Sequence, residues 1–149
     1  MKKILFVCTG NTCRSPMAAA LFNRLAAASG IGYEAASAGL AAAEGSPASV
    51  NAIEAMEGYP GADLSCHRSR RLTYTDIKEA HLILAMERLH RQYILSMYPE
   101  AYQKVFTLIE YVYGTDGDVT DPYGGNEAVY RHCAEMLAQA VEKLVEKLK

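Results

Sequence analysis

The stretch ILFVCTGNTCRS, residues 4–15, joins a short apolar run to a polar loop that contains a glycine. The apolar run is typical of a buried strand, and an alanine-rich helical pattern starts directly after the loop. Ser15 is a favourable N-cap and Pro16 a favourable first helical residue. The loop is therefore predicted to end at a helix N-terminus, where free N–H groups and a partial positive charge favour an anion.

Cys8 and Arg14 stand near the two ends of this loop and indicate which anion it binds. A helix N-terminus favours the thiolate form of a cysteine. The guanidinium of an arginine matches the oxygens of a phosphate. These two residues predict a thiolate nucleophile beneath a bound phosphoryl group.

Other loops that bind phosphate or metal fit the sequence less well. A nucleotide P-loop ends in Gly-Lys-Ser or Gly-Lys-Thr, which is missing here. Gly10 lacks the companion glycines of a dinucleotide-binding loop. Cys8 and Cys13 do not have the CxxC spacing of a metal pair, and no second pair follows, so no metal site is expected.

Asp121, far along the chain, supplies a second piece of the same chemistry. Asp-Pro alone signals only a turn. Beside a thiolate nucleophile, a loop carboxyl can protonate the group that leaves phosphorus and can then activate water against a phosphocysteine intermediate. Asp118 is the alternative acid, and it ranks second because it lacks the rigid proline that follows Asp121.

With Cys-x5-Arg-Ser near the N-terminus and Asp-Pro near the C-terminus, the chain resembles the low-molecular-weight protein phosphatases. The resemblance covers essentially all 149 residues and includes residues 37–39 and 67–70. Within the family, the loop and residues 104–122 look most like the bacterial protein-arginine phosphatase branch. The resemblance implies hydrolysis of phosphoarginine in protein substrates through a phosphocysteine intermediate, without a cofactor.

The family match also implies roles for individual residues. Cys8 would be the nucleophile, Arg14 the phosphate clamp, and Asp121 the general acid and then the general base. Ser15 would donate a hydrogen bond to the thiolate and make it a better leaving group. The residues expected to bind the phosphate or the substrate are Thr9, Gly10, Asn11, Thr12, Cys13 and Ser15. Ser37 and His67 would belong, with Asn11 and Ser15, to the hydrogen-bond network that shapes the loop.

Thr12 and Tyr123 are the expected determinants of substrate choice. The tyrosine-specific branch usually has a larger aliphatic residue at the position of Thr12, and threonine leaves room for a guanidinium. Tyr123 stands alone before two glycines, where tyrosine-specific relatives often have a second aromatic residue. Residues 40–44 are small where relatives often have an aromatic residue, which predicts an open rim. Phosphotyrosine remains the alternative substrate.

The composition restricts the setting of the protein. A chain of 149 residues is expected to form one domain, residues 1–149. Fifteen basic and 17 acidic residues give a net charge of −2, which favours neither nucleic acid nor a membrane surface. The apolar run is too short for a signal peptide or a membrane helix. We expect a cytoplasmic monomer, because a thiolate nucleophile needs reducing conditions.

Strand and helix patterns alternate along the chain. Strands are predicted at residues 4–7, 33–37, 81–85 and 105–108, and helices at 16–29, 46–57, from 73, 87–97 and 126–149. This alternation predicts an α/β fold of three layers (α/β/α), with a four-stranded parallel sheet covered by helices on both faces. The phosphate loop after the first strand would lie at a topological switch point. The expected core positions of the last helix are Val129, Cys133, Met136, Ala140, Leu144 and Leu148.

The four cysteines are expected to differ in role. Cys133 is expected in the core as an inert apolar residue, and Cys66 is expected to be buried. Cys13 lies in the same loop as the nucleophile Cys8, an arrangement found in redox sensors. This predicts a reversible Cys8–Cys13 disulfide that inactivates the enzyme, with simple packing of Cys13 under the loop as the alternative.

Three other functions share features with this loop. Arsenate reductases that are coupled to thioredoxin need a later cysteine pair, which Cys66 and Cys133 do not form. A non-catalytic phosphate-binding module needs neither a thiolate nor an acid. The IIB subunits of sugar phosphotransferases carry a cysteine on a similar loop but lack the Arg-Ser ending.

Overall fold

The computed structural model describes residues 1–149. Its strands are β1 (Lys2–Cys8), β2 (Tyr33–Gly39), β3 (Leu82–Ala85) and β4 (Val105–Thr107). Its α-helices are α1 (Arg14–Ser29), α2 (Val50–Met56), α3 (Tyr74–Glu79), α4 (Arg88–Met97), α5 (Leu108–Tyr113) and α6 (Glu127–Leu148), and a 3₁₀ turn spans Pro99–Ala101. None of these helices combines the length and the apolar character that a membrane span requires.

The four strands form one parallel sheet in the order β2-β1-β3-β4. β1 lies between β2 and β3. The chain therefore passes from β1 to β2 on one side, and then crosses back over β1 to reach β3 on the other side. The carboxyl end of β1 is therefore the switch point of the sheet, where a crevice opens between the loops. The predicted α/β fold with a four-stranded parallel sheet is confirmed, and the phosphate loop follows β1 as expected.

The two faces of β1 are buried in different clusters, as strand alternation requires. Ile4 and Phe6 belong to the larger cluster, which packs against α1, α2, α5 and α6. Leu5 and Val7 belong to the smaller cluster, which includes residues of α3 and α4. Helices therefore cover both faces of the sheet, and β1 is held rigidly up to Cys8.

The first two helices begin at positions that differ from the prediction. α1 begins at Arg14, with Cys13 in the N-cap position, so Ser15 is not the N-cap. The reason is that the Ser15 hydroxyl is used inside the phosphate loop. α2 begins at Val50 with Ser49 as its cap. Pro47 instead forms a bridge with Arg68 and does not open the helix.

Three further corrections concern α5, α6 and Cys66. Helix α5 was not predicted, because it is only six residues long and follows β4 without a break. On α6, Val129 and Met136 are exposed, whereas Cys133, Ala140 and Leu144 are buried as predicted. The buried stripe of α6 is broader and turned by one residue, and its members are Tyr130, Cys133, Ala134, Leu137, Ala140, Val141, Leu144 and Val145. Leu148 is half-buried, and Cys66 is exposed rather than buried.

Candidate active site

The loop between β1 and α1 curls around the thiol of Cys8. Sγ lies 2.8 Å from the Ser15 hydroxyl oxygen and accepts the backbone N–H of Asn11 at 3.3 Å. The Asn11 amide donates to the Ser15 hydroxyl oxygen at 2.9 Å, so the Ser15 hydrogen is free to point at Sγ. Sγ of Cys8 is therefore surrounded by a hydroxyl, a backbone N–H and the N-terminus of α1, the surroundings expected of a nucleophilic cysteine.

Asn11 fixes the shape of the loop. Its backbone is left-handed, with φ 57°, a conformation that asparagine tolerates better than most residues. Besides Ser15, its side-chain amide donates to the Ser37 hydroxyl at 2.9 Å, and its Oδ1 accepts the backbone N–H of Arg70 at 3.0 Å. His67 Nε2 donates to the backbone oxygen of Asn11 at 2.7 Å. The structure thus brings together the four residues that the sequence assigned to the supporting network.

Gly39, at the end of β2, lets this loop approach the sheet. A Cβ on Gly39 would stand 2.6 Å from the backbone oxygen of Thr9, which is closer than any side chain allows. The adjacent residues bind the loop through the backbone, since Leu40 N–H donates to Cys8 and Ala41 N–H donates to Thr9. The loop is therefore tied to β2 as well as to β1.

Arg14 is almost completely buried, with 2 % of its side chain exposed. Its NH1 group donates to Glu87 Oε2 at 2.5 Å and to the backbone oxygen of Val119 at 2.8 Å. Both NH1 hydrogens are therefore used, and the opposite edge, formed by Nε and NH2, remains available for a bidentate contact with phosphate. NH2 lies 3.6 Å from Asp121 Oδ2, so two carboxylates balance the buried positive charge.

Asp121 and Asp118 occupy different surroundings. Asp121 lines the cavity above Cys8 and is half exposed. Asp118 does not line this cavity, because its Oδ1 accepts the backbone N–H of Arg88 at 2.8 Å and contacts the Arg88 side chain at 3.3 Å. The bond from the Arg88 backbone, with help from its side chain, lowers the pKa of Asp118. A carboxyl that stays ionised is a poor proton donor, which favours Asp121 as the acid.

The cavity at this site has a volume of about 260 Å³. Its floor and walls are formed by residues 8–14, and Asp121 and Tyr123 complete its lining. The Tyr123 ring is 81 % exposed and stands at the mouth. Residues 40–44 contribute nothing to the lining. A small cavity at a helix N-terminus, lined by a buried arginine and one exposed tyrosine, suits a phosphorylated side chain that enters from solvent.

A model of one protein family, described as low molecular weight phosphotyrosine protein phosphatase, matches residues 3–149. The chain belongs to this family. The resemblance seen in the sequence is thereby confirmed, and with it the enzyme class, a hydrolase that acts on phosphorylated side chains.

Relatives of this phosphatase come from both branches of the family. A protein-arginine-phosphatase from Geobacillus stearothermophilus is 47 % identical over 146 residues, which is 98 % of this chain and 95 % of the relative. The crystal structure of a low molecular weight protein tyrosine phosphatase from T. tengcongensis is 48 % identical, with a TM-score of 0.94 and 99 % of each chain covered.

A third structure bears on the nucleophile. It is a cysteine-to-serine mutant of the arginine phosphatase YwlE with a phosphorylated active-site serine. It is 41 % identical to this phosphatase, with a TM-score of 0.93, and the match covers 98 % of this chain and 95 % of the other. In that protein, therefore, the position of the catalytic cysteine receives the phosphoryl group.

Two of the other three thiols, Cys13 and Cys133, are buried. Cys13 is buried under the loop, with Sγ 3.4 Å from both the Ser49 hydroxyl and the Tyr130 hydroxyl. Burial and the contact with Cys13 raise the pKa of Tyr130 to about 12, so the phenol stays protonated. Burial raises the pKa of Cys133 to about 12, in keeping with an inert core residue.

Two polar residues of this site were not predicted from the sequence. Glu87 pairs with Arg14, and His90 Nε2 lies 2.8 Å from the Thr9 hydroxyl. Both stand at the start of α4, directly after β3. One signal for Glu87 was present, since it follows a buried strand whose carboxyl end must lie beside that of β1 in a parallel sheet. No three His, Cys, Asp or Glu side chains group closely enough to hold a metal ion.

Proposed function

We propose that this phosphatase hydrolyses phosphoarginine in protein substrates, with Cys8 as nucleophile, Arg14 as phosphate clamp and Asp121 as acid and base. The observation that carries the proposal is the Cys8 thiol, which accepts the Asn11 N–H and lies beside the Ser15 hydroxyl at the floor of an anion-binding cavity. The relative named a protein-arginine-phosphatase supports the choice of substrate.

The first chemical step forms a phosphocysteine. The loop N–H groups and the free edge of Arg14 hold the phosphoryl oxygens, and Cys8 Sγ attacks phosphorus from below. The P–N bond of phosphoarginine breaks as the S–P bond forms. Asp121, which lines the cavity and is half exposed, gives its proton to the departing guanidine nitrogen. Arginine leaves, and Asp121 becomes a carboxylate.

The second step returns the enzyme to its starting state. The Asp121 carboxylate takes a proton from water, and the water oxygen attacks phosphorus as the S–P bond breaks. The electron pair of that bond returns to Cys8, whose thiolate is stabilised by the Ser15 hydroxyl at 2.8 Å. Inorganic phosphate is then released, and no metal ion takes part.

The specificity proposal concerns the upper part of the cavity. Thr12 offers a short, partly polar wall, and the half-exposed carboxyl group of Asp121 can accept a hydrogen bond from the guanidino group of the substrate. Tyr123 provides one ring at the mouth. A phosphotyrosine ring needs more apolar surface, which a larger aliphatic residue in place of Thr12 would supply. Because a T. tengcongensis relative is described as a tyrosine phosphatase, phosphotyrosine is the competing substrate.

Thr12→Ile is expected to reverse the preference between the two substrates. The wild type should show the higher kcat/KM on a phosphoarginine peptide, and the variant on a phosphotyrosine peptide of the same sequence. A change of this size in a pocket is worth about 10- to 200-fold in discrimination. Thr12→Ser keeps the hydroxyl and serves as the control, which should retain the wild-type preference. A wild type that prefers phosphotyrosine would return the protein to the tyrosine-specific class.

We also propose that Cys13 protects Cys8 from irreversible oxidation. Peroxide converts the Cys8 thiolate to a sulfenic acid, and the Cys13 thiol then condenses with it, releasing water and forming a disulfide. To reach Cys8, Cys13 must first give up its contacts with the Ser49 and Tyr130 hydroxyls. A thiol reductant then restores both thiols.

After treatment with peroxide and then with reductant, the wild type is expected to recover most of its activity. Cys13→Ser is expected to recover little, because its Cys8 proceeds to the sulfinic acid. Cys133→Ser provides a control in a buried thiol outside the site. Equal recovery in wild type and Cys13→Ser would exclude the disulfide.

We infer a cytoplasmic setting from the need for a reduced thiol at Cys8. Phosphorylated proteins are the proposed partners, and neither nucleic acid nor a membrane surface is expected at a net charge of −2. Residues 1–149 are proposed to act as a single catalytic domain and a monomer.

A further inference from the structure

His90 is a buried residue, 6 % exposed, that the proposed mechanism does not use. It stands in the first turn of α4, where its Nδ1 accepts the backbone N–H of Glu87 at 3.1 Å. A ring nitrogen that accepts an N–H carries no hydrogen of its own, so the hydrogen of the neutral ring is on Nε2. Burial lowers the pKa of His90, and the nearby Glu87 carboxylate opposes this only in part. The ring is therefore neutral near neutral pH.

This tautomer sets the direction of the next hydrogen bond. Nε2 lies 2.8 Å from the hydroxyl oxygen of Thr9, so the His90 N–H donates and Thr9 accepts. The Thr9 hydroxyl has no other hydrogen-bond partner in the protein. Its own hydrogen therefore points away from His90.

Thr9 is placed where such a hydrogen can act. It follows Cys8 directly, lines the cavity, and is exposed to it. Its backbone is fixed, because its carbonyl oxygen accepts the Ala41 N–H at 2.9 Å. His90 thus holds the side chain and Ala41 holds the backbone, and the hydroxyl hydrogen remains available for a ligand.

We propose that the Thr9 hydroxyl donates a hydrogen bond to an oxygen of the bound phosphoryl group, and that His90 is the positioning residue that directs it. This inference rests on the proposed phosphatase function and adds a side-chain donor to Arg14 and the loop N–H groups. In phosphoryl transfer the charge is spread over three equatorial oxygens. A donor oriented before the reaction stabilises that charge without reorganisation.

Thr9→Val tests the hydroxyl, since valine keeps the branched shape but removes both the donor to the phosphoryl group and the acceptor of the His90 N–H. The expected result is a loss of about 10- to 100-fold in kcat/KM on a phosphoarginine peptide, with weaker inhibition by inorganic phosphate. The Tm is expected to fall because the His90 N–H loses its partner, so the assay is run well below the thermal transition of the variant. Thr9→Ser keeps the hydroxyl and should restore most of the activity. Thr9→Val within twofold of wild type, or Thr9→Ser as impaired as Thr9→Val, would overturn the proposal.

The role of His90 is tested by a double-mutant cycle. If His90 acts through Thr9, His90→Gln should lower kcat/KM in the wild type but cost almost nothing further in the Thr9→Val background. Additive losses would assign His90 a separate structural role. His90→Asn repeats the cycle should His90→Gln not fold, as judged by its thermal transition.

These outcomes are distinct from a failure of the proposed function. A wild type that turns over neither phosphoarginine nor phosphotyrosine peptides would overturn the phosphatase mechanism itself. A wild type that is active, with Cys8→Ser inactive and Thr9→Val unchanged, would overturn only the role of Thr9.

Discussion

Cys8→Ser is expected to abolish turnover while the protein still binds phosphate. The loop, Arg14 and the α1 N-terminus that hold the anion are unchanged by the substitution. A serine hydroxyl, however, is far less acidic than a thiol, so the attack on phosphorus slows and any phosphoserine formed has a poor leaving group. We expect kcat to fall by at least about 10⁴-fold, the scale seen when a nucleophile is removed from other enzymes.

The measurement combines turnover on a phosphoarginine peptide with a titration by inorganic phosphate. Intact-mass spectrometry after exposure to substrate is expected to show one phosphoryl group retained on the variant, because phosphoserine is hydrolysed slowly. The exposed Cys66 offers a matched control, because Cys66→Ser changes a free thiol away from the cavity and should leave kcat unchanged. Activity of Cys8→Ser near that of wild type, or activity removed by a chelator, would contradict the thiolate mechanism.

The parts of the fold that the sequence predicted correctly are those with strong local signals. β1 and β3 are continuous apolar runs, and both are buried as expected. The phosphate loop could be predicted because its chemistry is contained in consecutive residues. Asp121 could be proposed as the general acid only after Cys8 had been identified as the nucleophile, since Asp-Pro alone predicts a turn.

The parts that the sequence did not reveal depend on tertiary contacts. Glu87 and His90 contact Arg14 of α1 and Thr9 of the phosphate loop, which are far away in sequence. The position of Glu87 after a buried strand indicates that it lies near the site, but no local pattern identifies Arg14 as its partner. Ser15 is a residue type that favours the N-cap, yet its hydroxyl is bonded to the Cys8 thiol and to Asn11, and the helix starts two residues earlier than predicted. Tertiary hydrogen bonds here outweigh a local capping preference of about 1 kcal/mol.

The face of α6 shows a related limit. Apolar side chains at Val129 and Met136 fit a helical stripe as well as Tyr130 and Leu137 do. The choice between the two stripes depends on how α6 packs against α1 and α2, which periodicity alone does not determine. The structure buries Tyr130, whose hydroxyl reaches Cys13.

Asp121→Asn is expected to lower kcat on a phosphoarginine peptide by about 10²- to 10⁴-fold, the usual contribution of a general acid or base. Asparagine keeps the shape of the side chain but can neither give a proton to the departing guanidine nor take one from water. Arg14 also loses one of its two neighbouring carboxylates, which stand 2.5 Å and 3.6 Å from its nitrogens, so phosphate binding should not weaken. The loss should therefore appear in kcat rather than in KM.

Asp118→Asn is the matched control for this substitution, since the two residues lie in the same loop and only Asp121 lines the cavity. Asp118→Asn should keep kcat near wild type and lose only stability, because it weakens the contacts with Arg88. An aryl phosphate with a good leaving group separates the two roles of Asp121. Such a leaving group needs no acid, so the first step in Asp121→Asn should stay fast while hydrolysis of the phosphocysteine slows. The phosphoenzyme would then accumulate, and a burst of one phenolate per enzyme would be released. No burst in Asp121→Asn, together with a large loss of kcat in Asp118→Asn, would instead assign the catalytic role to Asp118.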